Sequence, residues 1–171
     1  CLVAIMCQGR GFHRETEASL RDVCMREGTA TPIISSAGAL ISALKATGAQ
    51  RISFIAPYMK NLTRLVADYI EAEGIEVVDT VSLEIPDNLD VAAQDSMNLL
   101  EIVQRLDTRN VDAVVLSACV QMPSLGALER VQKSFDVPVL SSAAATVFEI
   151  LRALKLPTHV PRAGDLLSGR Y

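Results

Sequence analysis

The sequence has no Trp, only two His, and aromatic residues amount to 4%. A surface that grips RNA or DNA normally combines a clustered basic excess with stacking aromatics. Here sixteen Lys and Arg stand against twenty Asp and Glu, a net charge of −4 with the signs mixed along the chain, so a nucleic-acid partner is excluded. No apolar run approaches the roughly 18–20 residues needed to cross a bilayer, and no membrane partner is expected. Cysteine is sparse as well. The four thiols, at positions 1, 7, 24 and 119, form no CxxC pair, and two His add too little for a structural zinc site. A secreted disulfide scaffold would be shorter and denser in Cys, so free thiols in a reducing cytoplasm are the simpler reading.

What is present is apolar. Half of the 171 residues are hydrophobic, and the richness in Val, Ile, Leu and Ala excludes intrinsic disorder. The length supports one full domain, or one domain and pieces of a second. Residues 51–56 read as a buried strand. Residues 61–73 follow as a helix with apolar positions 62, 65, 66, 69 and 70 on one stripe, stopped by Gly74. Strands are expected at 75–81, 111–117 and 137–140, and helices at 91–106, 123–135 and 141–154. Ser35 or Ser36 caps a further helix running to Thr47, with Gly48 as its stop. Residues 2–6 look like a strand by composition, although that strand could equally end just before Cys1. Strand and helix in alternation specify an α/β fold with a parallel sheet. In such sheets ligands bind beyond the carboxyl ends of the strands, so the residues just after each strand are where chemistry is to be sought.

Cys119 stands out on that criterion, because it ends a strand shortly before a helix expected to open at Pro123. Amide N–H groups and a helix dipole there favour a thiolate, the reactive form of cysteine. The competing reading is a small buried hydrophobe, the fate of most free cysteines. Tyr58 follows another strand in Ala56-Pro57-Tyr58-Met59, where its hydroxyl suits a ligand oxygen or simply the rim of the sheet. Asn88, after Pro86 and Asp87, is a turn former first and a ligand donor second. Cys24 is expected on a helix in the core with Leu20 and Val23, Cys7 in an exposed loop, and His13 in a Gly/Arg-rich loop, where a Cys–His dyad is open in principle but is the lesser reading. Gly9-Arg10-Gly11 lacks the further glycine and preceding strand of a dinucleotide loop. A chain that starts at Cys1 rather than Met reads as processed, cut or partly recorded, and truncation is the preferred reading. Cys1-Leu2-Val3 and Cys119-Val120-Gln121 suggest matching corners of two related half-domains.

With those residues in view, the chain resembles the Asp/Glu racemase superfamily and, within it, the maleate cis–trans isomerases. The matching segments begin at Cys1-Leu2-Val3, Ser35-Ser36-Ala37-Gly38, Ala56-Pro57-Tyr58-Met59 and Tyr69-Ile70-Glu71. The most specific is Leu116-Ser117-Ala118-Cys119-Val120-Gln121-Met122-Pro123-Ser124. The resemblance implies two pseudo-symmetric Rossmann-like α/β domains facing each other, with a family segment of about a third of the chain expected ahead of Cys1. Residues 1–35 and 141–171 would belong to an incomplete first domain and 36–140 to the second. It implies Cys1 and Cys119 as catalytic cysteines, and Val3, Tyr58, Asn88, Val120 and Gln121 as substrate-binding positions. It further implies maleate as the small dicarboxylate substrate, no cofactor or metal, a cytoplasmic location and a homodimer or larger assembly. Two-cysteine amino-acid or hydantoin racemases share the fold, but the apolar neighbours Leu2, Val3 and Val120 do not suit an ammonium group. Arylmalonate decarboxylases keep only the second cysteine. A non-catalytic α/β ligand-binding domain with core thiols is the alternative from another class.

Overall fold

The computed structural model of the chain describes residues 2–171, with the side chains of residues 2 and 3 outside the description. Its centre is a four-stranded parallel sheet of β1 (Arg51–Ala56), β2 (Glu76–Ser82), β3 (Ala113–Ser117) and β4 (Val139–Ser141), in the spatial order β2-β1-β3-β4. The two inner strands are uninterrupted runs of buried residues beyond Arg51, as expected when helices cover both faces of a parallel sheet. Only the connections with a helix let parallel strands pair, and α4 (Lys60–Ala72) joins β1 to β2 while α7 (Leu125–Gln132) joins β3 to β4. α3 (Ser36–Ala46) precedes the sheet, and α8 (Ser142–Ala153) follows it and packs along α3. Among the described residues, no helix is long and apolar enough to cross a membrane.

Local chemistry sets most of these boundaries. The Ser35 hydroxyl accepts from the Gly38 amide at 3.0 Å and opens α3, a cap worth about 1 kcal/mol. A Cβ at Gly38 would displace the Glu17 carboxylate and strain its bonds to Ser35. Phe54, Ile55, Leu40, Leu44, Ile70, Leu116 and Phe148 are fully buried between sheet and helices. Each such side chain contributes on the order of 1.5–3 kcal/mol relative to exposure.

Several expectations are corrected. Residues 2–6 form a short helix, α1 (Leu2–Met6), not a strand; five apolar residues carry too little periodicity to tell the two apart. The single helix expected over 91–106 is broken into α5 (Asn88–Ala92), a 3-10 turn at Ser96–Asn98, α6 (Leu99–Ile102) and another 3-10 turn at Val103–Arg105. Asp95 causes the break, because its carboxylate accepts from the Met97 amide at 2.9 Å and starts a new turn. Cys24 is half-buried rather than core, on α2 (Phe12–Arg26), with Leu20 and Val23 on the same helix exposed at 50% and 44%.

α2 is held through its first two turns. His13, expected in a loop, lies in the first turn and is buried. Its amide donates to the Tyr69 hydroxyl at 3.3 Å, and its ring Nδ1 pairs with the same hydroxyl. Arg14 Nη1, which can only donate, lies 3.3 Å from Nε2, so the neutral imidazole accepts there and carries its proton on Nδ1, and the Tyr69 oxygen receives both the amide and Nδ1. Arg14 bridges both oxygens of Glu73 at 2.7 and 3.0 Å, with Lys45 at 3.5 Å from the same carboxylate. Glu17 accepts from the amide and hydroxyl of Ser35.

This anchor gives the fold an acid limit. Burial, then the charge of Arg14, lowers the pKa of His13 below its ordinary 6.5. The hydrogen bond from Arg14 lowers that of Glu73 below 4.5. Both groups are depressed in the folded state, so their contributions are complete above the ordinary values and are lost as the pH falls through the folded ones. The urea midpoint is therefore expected to drop between neutrality and about pH 5. The Arg14→Gln variant, which removes the charge that depresses both groups, is expected to show a shallower drop. An unchanged midpoint would contradict the anchor.

Candidate active site

The chain leaves β1 toward β2 on one side and returns to pair β3 on the other side of β1. Connections of one hand then lie on opposite faces, and a crevice opens above the carboxyl ends of β1 and β3. The first residues past β1 are Pro57 and Tyr58, and the first past β3 are Ala118 and Cys119. The sheet alone therefore sets Tyr58 beside Cys119.

The contact is direct. The Tyr58 hydroxyl donates to the Ala118 carbonyl at 3.2 Å. Burial raises the phenol pKa far above its ordinary 10, and the neighbouring Cys119 raises it further. Tyr58 is thus a protonated donor across the physiological range. α1 packs against α4, which opens two residues past Tyr58.

The main chain at Cys119 is fastened at every polar atom. The Ala118 amide donates to Ile55 O at 2.8 Å, which closes the β1–β3 seam. The Ser117 hydroxyl donates to Cys119 O at 2.7 Å and accepts from the Cys119 amide at 3.2 Å. Among the described residues the next amides, those of Val120 and Gln121, have no protein acceptor. Gln121 reaches across with its side-chain Nε2 to Asn88 O at 2.8 Å. Asn88 is the first residue of α5, after the helix-capping Asp87, whose carboxylate accepts from the Leu89 amide at 2.7 Å.

Tyr58, Asn88, Cys119, Val120 and Gln121 are therefore drawn into one region above the sheet. Cys119 is 4% exposed, whereas Val120 is 40% exposed and Asn88 and Gln121 lie open to solvent. Val3 falls in α1 with its side chain outside the described residues, and Cys1 lies outside them altogether. One expectation about Cys119 is corrected: the following helix opens at Leu125 rather than Pro123. Ser124 keeps a non-helical backbone and turns its hydroxyl to Ser141 at 2.9 Å, so the helix dipole starts further from the thiol. The Cys119 amide is also engaged by Ser117 and is not open to a ligand. A cleft of about 350 Å³, lined by Leu125, Glu129, Arg130 and Arg162 among others, includes none of these residues and offers no nucleophile.

Two features escaped the sequence reading. Ser117 carries a signal that was available, a hydroxyl ending an otherwise aliphatic buried strand, since a buried polar group must find a partner. The pairing of His13 with Tyr69 joins residues 56 apart and leaves no local trace.

The family model described as arylmalonate decarboxylase matches residues 1–167. The maleate isomerase of Geobacillus stearothermophilus is 60% identical over 171 residues, all of this chain and 68% of that protein. A crystal structure of a variant of the maleate isomerase Iso from Pseudomonas putida S16, with maleate, superposes with a TM-score of 0.97 at 55% identity, covering 100% of this chain and 68% of that one. A Nocardia farcinica maleate cis–trans isomerase mutant holding a covalently bound succinylcysteine intermediate superposes at 0.96 with 41% identity, covering 100% and 70%.

The seam between Tyr58 and Ala118 has a measurable worth. Tyr58→Phe leaves a buried carbonyl without its donor and is expected to lower unfolding stability by about 1 kcal/mol in urea denaturation. No loss of stability would place the hydroxyl elsewhere.

Proposed function

Because the chain belongs to the arylmalonate decarboxylase family, on its maleate isomerase branch, we propose that it isomerises maleate to fumarate without a cofactor, through a succinyl group bound to cysteine. The observation that carries this reading is the juxtaposition of Tyr58, Cys119 and the open amides of Val120 and Gln121 above the β1–β3 seam, in a chain so similar to maleate isomerases. The other reaction named in the family is decarboxylation of an arylmalonate. The resemblance assigns that reaction to members with the second cysteine alone, whereas Cys1 and Cys119 are both present here.

Maleate is an electron-poor alkene with two carboxylates. The thiolate of Cys1 adds to one alkene carbon and forms a C–S bond. The displaced π pair moves onto the neighbouring carbon and into its carboxylate, where amide N–H groups and the Tyr58 hydroxyl stabilise the charge. Cys119, as a thiol, delivers its proton to that carbon, which leaves a succinyl thioether and a Cys119 thiolate. The former double bond is now single and rotates. Cys119 retrieves the proton, the C–S electrons return to Cys1, and fumarate leaves.

Roles follow for the remaining positions. Tyr58 and Asn88 take the carboxylates, Val120 and Gln121 present their amides, and Val3 supplies an apolar wall beside the first cysteine. Support for Cys119 as the proton donor comes from its burial at 4% exposure beside a phenol that stays protonated. A dry setting keeps water from the carbanion and strengthens each hydrogen bond.

The same reading includes a cytoplasmic location, a homodimer or larger assembly, and a second domain of residues 36–140 flanked by first-domain segments 1–35 and 141–171. Two observations support that division. Every described strand falls between Arg51 and Ser141. The flanking segments also turn large apolar side chains to solvent: Leu20, Val23 and Met25 on α2, and Val147, Ile150, Leu154 and Leu156 on and after α8.

Proton NMR of maleate incubated with the protein is expected to show the maleate vinyl signal replaced by that of fumarate. Cys119→Ala is expected to slow the conversion by about a hundredfold or more, the usual scale for a lost general acid. Conversion within about threefold of the unaltered protein would remove Cys119 from the mechanism. Exchange of the α-proton of aspartate or glutamate in D2O, without isomerisation, would move the protein to the racemases.

A further inference from the structure

We infer that Ser117 is the positioning residue of the Cys119 thiol, holding the cysteine main chain at both ends through one hydroxyl; this assignment rests on the isomerase reading above. A hydroxyl has one proton to give and lone pairs to receive with. That of Ser117 uses both, giving to Cys119 O at 2.7 Å and receiving from Cys119 N at 3.2 Å. Ser117 is fully buried, so water has no access to replace either bond. The preceding residue is fastened as well, through Ala118 N to Ile55 O at 2.8 Å and Ala118 O to the Tyr58 hydroxyl at 3.2 Å. All four main-chain polar groups of Ala118 and Cys119 are therefore engaged within the protein. With the main chain fixed, the direction of the Cys119 Cα–Cβ bond is fixed, and rotation about that bond is the freedom left to the sulfur.

The consequence is chemical. Proton transfer between sulfur and carbon needs the reacting atoms about 3–3.5 Å apart and aligned, and misplacement by about an ångström costs on the order of a hundredfold in rate. The bonds of the Ser117 hydroxyl go to the Cys119 main chain, so Ser117 acts on the sulfur through that main chain. Its removal leaves a buried N–H and a buried C=O to seek other partners, which the loop over 118–122 does by shifting. The carboxylate contacts from Tyr58 and Asn88 lie on other segments and stay, while the amides of Val120 and Gln121 shift with the loop. The loss should thus fall mainly on kcat, with a smaller rise in KM.

Ser117→Thr and Ser117→Val, made in the complete protein, differ by a hydroxyl against a methyl of nearly equal size, so crowding in the strand cancels between them. Ser117→Thr is expected to keep kcat for maleate within about threefold of the parent protein, and Ser117→Val to lose about tenfold or more with KM within about threefold. Ser117→Ala, which adds no bulk, is expected to follow Ser117→Val and decides the question if the β-branched pair disturbs packing. A second readout is independent of turnover: iodoacetamide labelling of native protein, mapped by mass spectrometry. Cys119 is expected to react faster in the Val and Ala variants than in the Thr variant, while half-buried Cys24 labels at the parent rate in all of them and so reports intact folding. Equal kcat in the Thr and Val variants, or Ala indistinguishable from the parent in kcat and Cys119 labelling, would overturn the assignment. If the parent protein shows no isomerisation, the isomerase reading fails, and the labelling contrast still decides whether Ser117 positions Cys119.

Discussion

The parallel pairing of β1 with β3 is the constraint on which the site depends. Ile52, Ser53 and Phe54 lie in register with Ala113, Val114 and Val115, and the seam is closed at its carboxyl end by the bond from Ala118 N to Ile55 O. Since β2 is paired on the other edge of β1, the strands on either side of this seam are reached by connections over opposite faces, and nothing covers their carboxyl ends from within the sheet. Tyr58 and Cys119 meet there because each is the second residue past its strand. A slip in the register by one residue would exchange the inward and outward sides of β3 and part Cys119 from Tyr58. Packing in the core and the position of the chemistry are thus one problem: Phe54, Ile55 and Leu116, fully buried, hold the register that places the thiol.

Most of this framework was readable before the structure. Continuous β-branched runs marked β1 and β3, the apolar stripe and terminal glycine marked α4, and Ser35 marked the start of α3, because each signal is local and each has a physical cause confined to a few residues. Where the reading failed, competing local interactions or distant partners decided the outcome. Asp95 interrupted the helix expected over 91–106 by capping a new turn. The run over 2–6 was too short for its periodicity to choose between strand and helix. His13 could not be placed without Tyr69, and Cys24 could not be kept from the core without knowing that α2 is anchored through its first turns alone.

The candidate site divides in the same way. Cys119, Tyr58 and Asn88 were found from position after strands and from resemblance, two independent routes that agree on the same region of the fold. Ser117 was visible only as a hydroxyl ending an aliphatic strand, and which atoms it holds shows only in its two bonds to the Cys119 main chain. Its engagement of the Cys119 amide also moves the open donors one residue along, to Val120 and Gln121, which is a correction that composition and spacing had no means to supply.

The claim at the centre of this account is that two cysteines divide the work, Cys1 forming the bond to carbon and Cys119 moving the proton. Intact-mass spectrometry with peptide mapping of Cys119→Ser after incubation with maleate tests it most directly. Serine at 119 has no thiolate to take the proton back, so an adduct once protonated should accumulate. The expected result is a mass gain of one maleic acid on the peptide that contains Cys1. An unmodified protein, or an adduct on Cys7 or Cys24 instead, would contradict it.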